Sequence, residues 1–327
     1  MECAKILLFL ILATTRLIAS ESEFPSSIVA NYYYDYSSEN IETLRALHSD
    51  FTISKERLQK WDTILKELLQ DNPLPEGGFY RICAYLYTAQ RDAAFLSFDA
   101  TQSFKGSLDP ITVAIIRLFY PFFTPSITLE EDEYSYTLAQ LVFSNFKVRF
   151  NEENKEIRKE KRFINIFAWT GQRLEYNKSV LGWTPWVISP ISMESDAPPQ
   201  PEDQASWKQL LLEQEGLTPS PTTFWAKRSS VEKDNWLDIT NRYLYSRDIS
   251  LAKTLFTRSI LALALYDAII TNTKTKYFYS ALFTETKIPS LKRAIAYTAA
   301  SVLSYYFPKE RDHWLNLAAE LVTHLTQ

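Results

Sequence analysis

Apolar positions recur at helical rather than strand spacing through most of the chain. Between Arg258 and Trp314 two such stripes flank a short polar connection. The first joins Ile260, Leu261, Ala264, Leu265, Ala268 and Ile269. The second joins Ile295, Ala299, Val302 and Tyr306, with Ala296, Ala300 and Leu303 alongside. Steps of three and four residues put each set on one face of an α-helix, and Pro308 stops the second. Upstream, Ser54 is placed to cap a helix running through Leu69. Its Leu58, Trp61, Leu65 and Leu68 share one face, with Lys and Glu on the other. DNPLPEGG (71–78) breaks that helix, and Phe79–Phe98 predicts the next. Asp109 and Pro110 start another that ends by Pro121, with the aspartate as cap and the proline in the first turn. A further helix is expected from about Glu130 to Phe150, with acidic residues in its first turn, where the helix dipole favours them.

The segments between these helices read differently. Residues 21–50, polar and rich in tyrosine (Tyr32, Tyr33, Tyr34, Tyr36), predict an extended arm that wraps the domain. NEENKEIRKEKR (151–162) is a mixed charge run, expected as a solvated helix extension or a mobile loop. GW-x-PW (182–186) closes a tryptophan-rich stretch. Pro190, Pro198, Pro199 and Pro201 then predict an irregular, extended crossing near 187–206. The expected architecture is all-α. AYLYTAQRDAAFLS (84–97) echoes ALALYDAII (262–270).

Composition narrows the function classes. With only 6 Gly, glycine-rich phosphate loops and turn-dense sheets are not expected. A net charge of −4 leaves no basic footprint for nucleic acid. Met1–Ser20 has the form of a signal peptide: Lys5, then the apolar run Ile6–Ala13, then Ala19 or Ser20 before cleavage. That run is far shorter than the ~20 apolar residues needed to span a bilayer, so the expected location is exported, periplasmic or secreted. Cys3 falls inside this segment. Cys83 is then alone in the mature chain and reads as a small buried hydrophobe. No His/Cys spacing fits zinc and no acidic loop fits calcium, so no metal is expected.

Four pieces carry a family resemblance: Tyr266-Asp267-Ala268, Lys276-Tyr277-x-Tyr279, Pro289-Ser290, and AASVLSYYFP (299–308). Together with GLTPSPTTFW (216–225) and the tryptophan-proline stretch before it, they make the chain over about 180–314 resemble the vanadium-dependent haloperoxidase and type 2 phosphatidic acid phosphatase superfamily. The resemblance implies a helical bundle of that type, a single helical domain over 21–327 with two halves joined by the crossing near 187–206, and it makes the echo between 84–97 and 262–270 the mark of an old duplication. It also implies an oxyanion site built by three motifs: Lys-x6-Arg-Pro, Pro-Ser-Gly-His and Arg-x5-His. In such a site, cationic side chains neutralise the equatorial oxygens while one histidine attacks phosphorus or holds vanadium.

Lys276 stands in the first motif, but Phe283 and Thr284 replace its Arg-Pro. Ser290 stands in the second, but Leu291 and Lys292 replace Gly-His. The chain has three histidines, His48, His313 and His324, and none completes either histidine motif. The oxyanion-binding candidates are therefore Lys276, Ser290 and Lys292, helped by Lys287 and Arg293, with no catalytic residue assigned. The expected function is that of an exported, catalytically inactive homologue, truncated before the third motif. The alternative is a working phosphomonoesterase or haloperoxidase-like enzyme with an altered oxyanion site that takes vanadate or phosphate. Without the helix that would carry the third motif, the face near Val302 and Tyr306 is expected either to self-associate or to leave the fold marginal. Asp92 and Asp267, each within an apolar run, are expected to form buried ion pairs with Arg81, Arg91 or Arg258, the alternative being catalytic carboxylates.

Overall fold

The apolar stripes fold as helices. The computed structural model describes residues 38–74, 77–98, 103–160, 180, 182–187, 235–279 and 291–323, with backbone alone at 38–39, 156–160, 275–279 and 323. Over these residues the chain is all-α. Its helices are α1 (Ser38–Ala46), α2 (Lys55–Asp71), α3 (Gly78–Leu96), α4 (Asp109–Phe119), α5 (Glu133–Glu160), α6 (Trp236–Ser246), α7 (Leu251–Tyr279), α8 (Leu291–Tyr306) and α9 (Arg311–Thr323). Among the described residues β-structure is limited to isolated bridges, Thr52 with Lys105 and Phe98 with Phe104. The chain divides into two compact units, Met1–Glu153 with Leu244–Leu263, and Asn154–Tyr243 with Ala264–Gln327. Residues 1–20, expected as a signal peptide, and the proline-rich residues beyond 187 lie outside the described residues.

In the first unit α2 starts where its cap predicts: the Ser54 hydroxyl accepts from the Arg57 N–H at 3.2 Å. Its buried Trp61 and Ile64 join Val113, Ile116 and Phe123 in one apolar cluster. Each such side chain contributes roughly 1.5–3 kcal/mol by leaving water. Every residue of α3 from Arg81 to Ala94 is buried, the mark of a helix covered on all sides. Its Tyr85 meets the rings of Phe119, Phe146 and Phe150 edge-on. Between α3 and α4 the chain turns at Gly106, whose φ is 83°. A Cβ there would stand 2.7 Å from the Tyr134 ring, so both the backbone angle and the space call for glycine.

Three expectations need correction. Residues 38–46 are helical rather than part of an extended arm, because Leu44 is anchored in the core; residues 21–37 lie outside the described residues. Asp109 does not cap its helix. The helix begins at Asp109 itself, after Leu108, and the carboxylate turns to donors on other segments. The charge run is not a uniformly solvated extension: α5 continues through it to Glu160, and Glu153 is only 1% exposed.

In the second unit Pro308 ends α8 as expected. A 3-10 turn over Pro308–Glu310 then leads into α9, which packs back against α8. The ring of Tyr243 sits edge-on to both Phe307 and Trp314, with centroids 5.0 Å from each. On the face expected to self-associate, Val302 and Tyr306 are half-buried and Leu303 and Phe307 are buried. By length and composition α7 over Leu251–Lys274 is long and apolar enough to cross a membrane, yet 89% of an 18-residue apolar window within it is buried, as in the core helix of a globular fold.

Candidate functional site

The three oxyanion candidates fall at the end of α7 and the start of α8. Lys276 is in the last turns of α7, where only the backbone is described, and Ser290 lies outside the described residues. Lys292 is in the first turn of α8 and is half-buried. Arg293 beside it is exposed, its guanidinium 5.7 Å from the Tyr297 ring centre. Lys287 and His324 are outside the described residues. His48 is exposed and bonds Asp50 at 3.0 Å; His313 is exposed beside the Trp314 ring. Among the described residues no group of His, Cys, Asp and Glu is placed to hold a metal ion.

Asp267 occupies the centre of the resembled block, and its partners differ from those expected. In the second unit its carboxylate, wholly buried on α7, accepts the backbone N–H of Trp186 at 2.8 Å and of Val187 at 2.7 Å. Two consecutive amides form a small anion nest, which the protein fills with its own side chain. The Trp183 ring stacks on Tyr266, 5.4 Å between centroids and 12° between planes. The Lys274 ammonium donates to the Trp183 carbonyl at 3.2 Å. The GW-x-PW segment is thus seated on α7 by Tyr266, Asp267 and Lys274.

In the first unit the arginines have taken other acids. Arg258, 1% exposed, donates to Asp62, which is 14% exposed. Tyr245 donates to the other oxygen of Asp62 at 2.6 Å, and the Tyr87 ring lies 4.0 Å beneath the guanidinium. Burial works against the charge on Arg258, but Asp62 together with the Tyr245 and Tyr87 hydroxyls outweighs it and holds the guanidinium pKa above its ordinary value. Burial also pushes the Tyr87 and Tyr245 hydroxyls well above the usual tyrosine range. Arg81 bonds Glu153 at 2.9 Å, and Arg149 reaches the same acid at 3.2 Å. Arg91 does pair with Asp92, at 2.7 Å, with both side chains buried. There burial outweighs the arginine and raises the carboxyl pKa.

Asp109 gathers the most donors. One oxygen accepts the Trp61 indole N–H at 2.6 Å and the other the Glu130 N–H at 2.7 Å, while Arg57 closes on both. Sequence patterns did not single out Asp62, Asp109 or Glu153 as buried acids. Asp62 has one local signal, its place beside Trp61 at the border of the apolar face of α2. Each buried carboxylate described here is met by donors, as a buried acid requires. Comparison with known proteins returns no match: no family model, no curated protein and no solved structure matches the chain.

Proposed function

We propose that this chain is a non-catalytic helical scaffold of haloperoxidase and acid phosphatase ancestry that acts outside the cytoplasm. The carrying observation is at the start of α8, where Leu291 and Lys292 stand in place of the Gly-His that the resembled site needs. Lysine is mostly protonated near neutral pH, so it binds an anion but makes a poor nucleophile beside imidazole. The docking of GW-x-PW on Asp267 supports the ancestry, because it joins two of the resembling pieces, and in the resembled family a tryptophan-proline stretch packs over helices. Export rests on the Met1–Ser20 pattern.

A thermal-melt titration with orthovanadate and with phosphate, on wild type and Lys276→Ala, tests this reading. A ligand bound only by the native state adds about 2.7 kcal/mol at a hundred times its dissociation constant. The scaffold reading predicts no saturable shift at millimolar ligand. A saturable shift lost in Lys276→Ala would instead favour an enzyme with an altered oxyanion pocket around Lys276, Ser290 and Lys292.

A further inference from the structure

We infer that residues 182–187 form a latch on α7 that one carboxylate, Asp267, keeps shut. Among the described residues, three contacts from α7 hold the segment. Trp183 stacks on Tyr266, the Trp186 and Val187 amides point at Asp267, and Lys274 takes the Trp183 carbonyl. Asp267 and Lys274 are two turns apart, and at 3.6 residues per turn they lie on one face of the helix. The segment therefore runs along α7 rather than touching it at a point.

The contacts are not equal. A stacked ring pair and an ammonium on a carbonyl tolerate small displacements. A carboxylate without exposed surface does not, because it needs donors wherever it is charged. The amides of Trp186 and Val187 are its hydrogen-bond donors from this segment, and lifting the segment takes both away. Closure of the latch and pairing of the buried Asp267 with these two amides are thus one event, a two-state element. The segment is also anchored at its start, where the Trp183 N–H donates to the Val180 carbonyl at 3.1 Å. With Trp183 fixed there, the two later amides fall opposite Asp267 in one register only. The latch is independent of any oxyanion bound at Lys276 and of the chain's ancestry.

Amide hydrogen exchange on the full chain tests this. The Trp186 and Val187 amides are expected to exchange slowly in wild type. Asp267→Asn is expected to speed them about tenfold or more, the effect of losing charge-assisted acceptors, while α7 amides over 264–274 keep their protection. Lys274→Met is expected to give a smaller rise at the same two amides. Exchange at the unprotected rate in wild type, or unchanged slow exchange in Asp267→Asn, would overturn the latch. If Asp267→Asn unravels α7 itself, Lys274→Met decides: a rise confined to the segment upholds the latch, and no change overturns it.

Discussion

Arg258 shows how single residues secure the core of the first unit. Its charge is balanced by Asp62, and its flat face is covered by Tyr87. Removing one partner of such a pair leaves the other charged and poorly solvated, at a cost of about 3–5 kcal/mol. Arg258→Met and Asp62→Asn are each expected to lower unfolding free energy by about 3 kcal/mol in urea melts, and the double variant by clearly less than their sum. Asp132 makes a pH prediction. Burial tends to raise its pKa, but hydrogen bonds from the hydroxyls of Ser135 and Ser49 and from the Ser135 N–H outweigh it and hold the carboxyl below 3.8. The native state then binds fewer protons than the unfolded chain, so this contribution is present above the ordinary aspartate value and lost as pH falls through the lowered one. Acid titration of stability should show this loss in wild type, and Asp132→Asn should remove it.

At the scale of elements, α2, α3, α4, α5, α7 and α8 were legible because their apolar periodicity reports burial directly. The Ser54 cap, the break after Asp71 and the stop at Pro308 follow from local chemistry alone. What could not be read is which charge goes inside, since that depends on a distant partner. Glu152 and Glu153 look alike within the run, yet Glu152 is exposed while Glu153 meets Arg81 and Arg149. Glu153→Ala is expected to cost about 3 kcal/mol and Glu152→Ala within about 0.5, both read from urea midpoints. The same limit applies to Asp267, whose partners are amides 80 and 81 residues away. Helix α9 left no strong stripe of its own, but buried Trp314 marks where it docks. Trp314→Ala is expected to destabilise the second unit by about 3–5 kcal/mol, seen as early loss of protection in α8 and α9.

Across the described residues, the buried acids are met by donors. Asp62, Asp92, Asp109, Glu153 and Asp267 all have donors within their own unit. The oxyanion candidates were legible only through the family resemblance, because a lysine at a helix end has an ordinary reason to be there. The all-α class, by contrast, followed from periodicity without any relative to guide it. The central claim is that the scaffold persists without the chemistry, and turnover tests it most directly. The purified full chain should be assayed for phosphomonoester hydrolysis and for vanadate-dependent halide oxidation with peroxide, alongside Lys276→Ala. The account predicts rates equal to the no-protein control in both assays and no difference between the two proteins. Turnover by wild type that Lys276→Ala abolishes would contradict it.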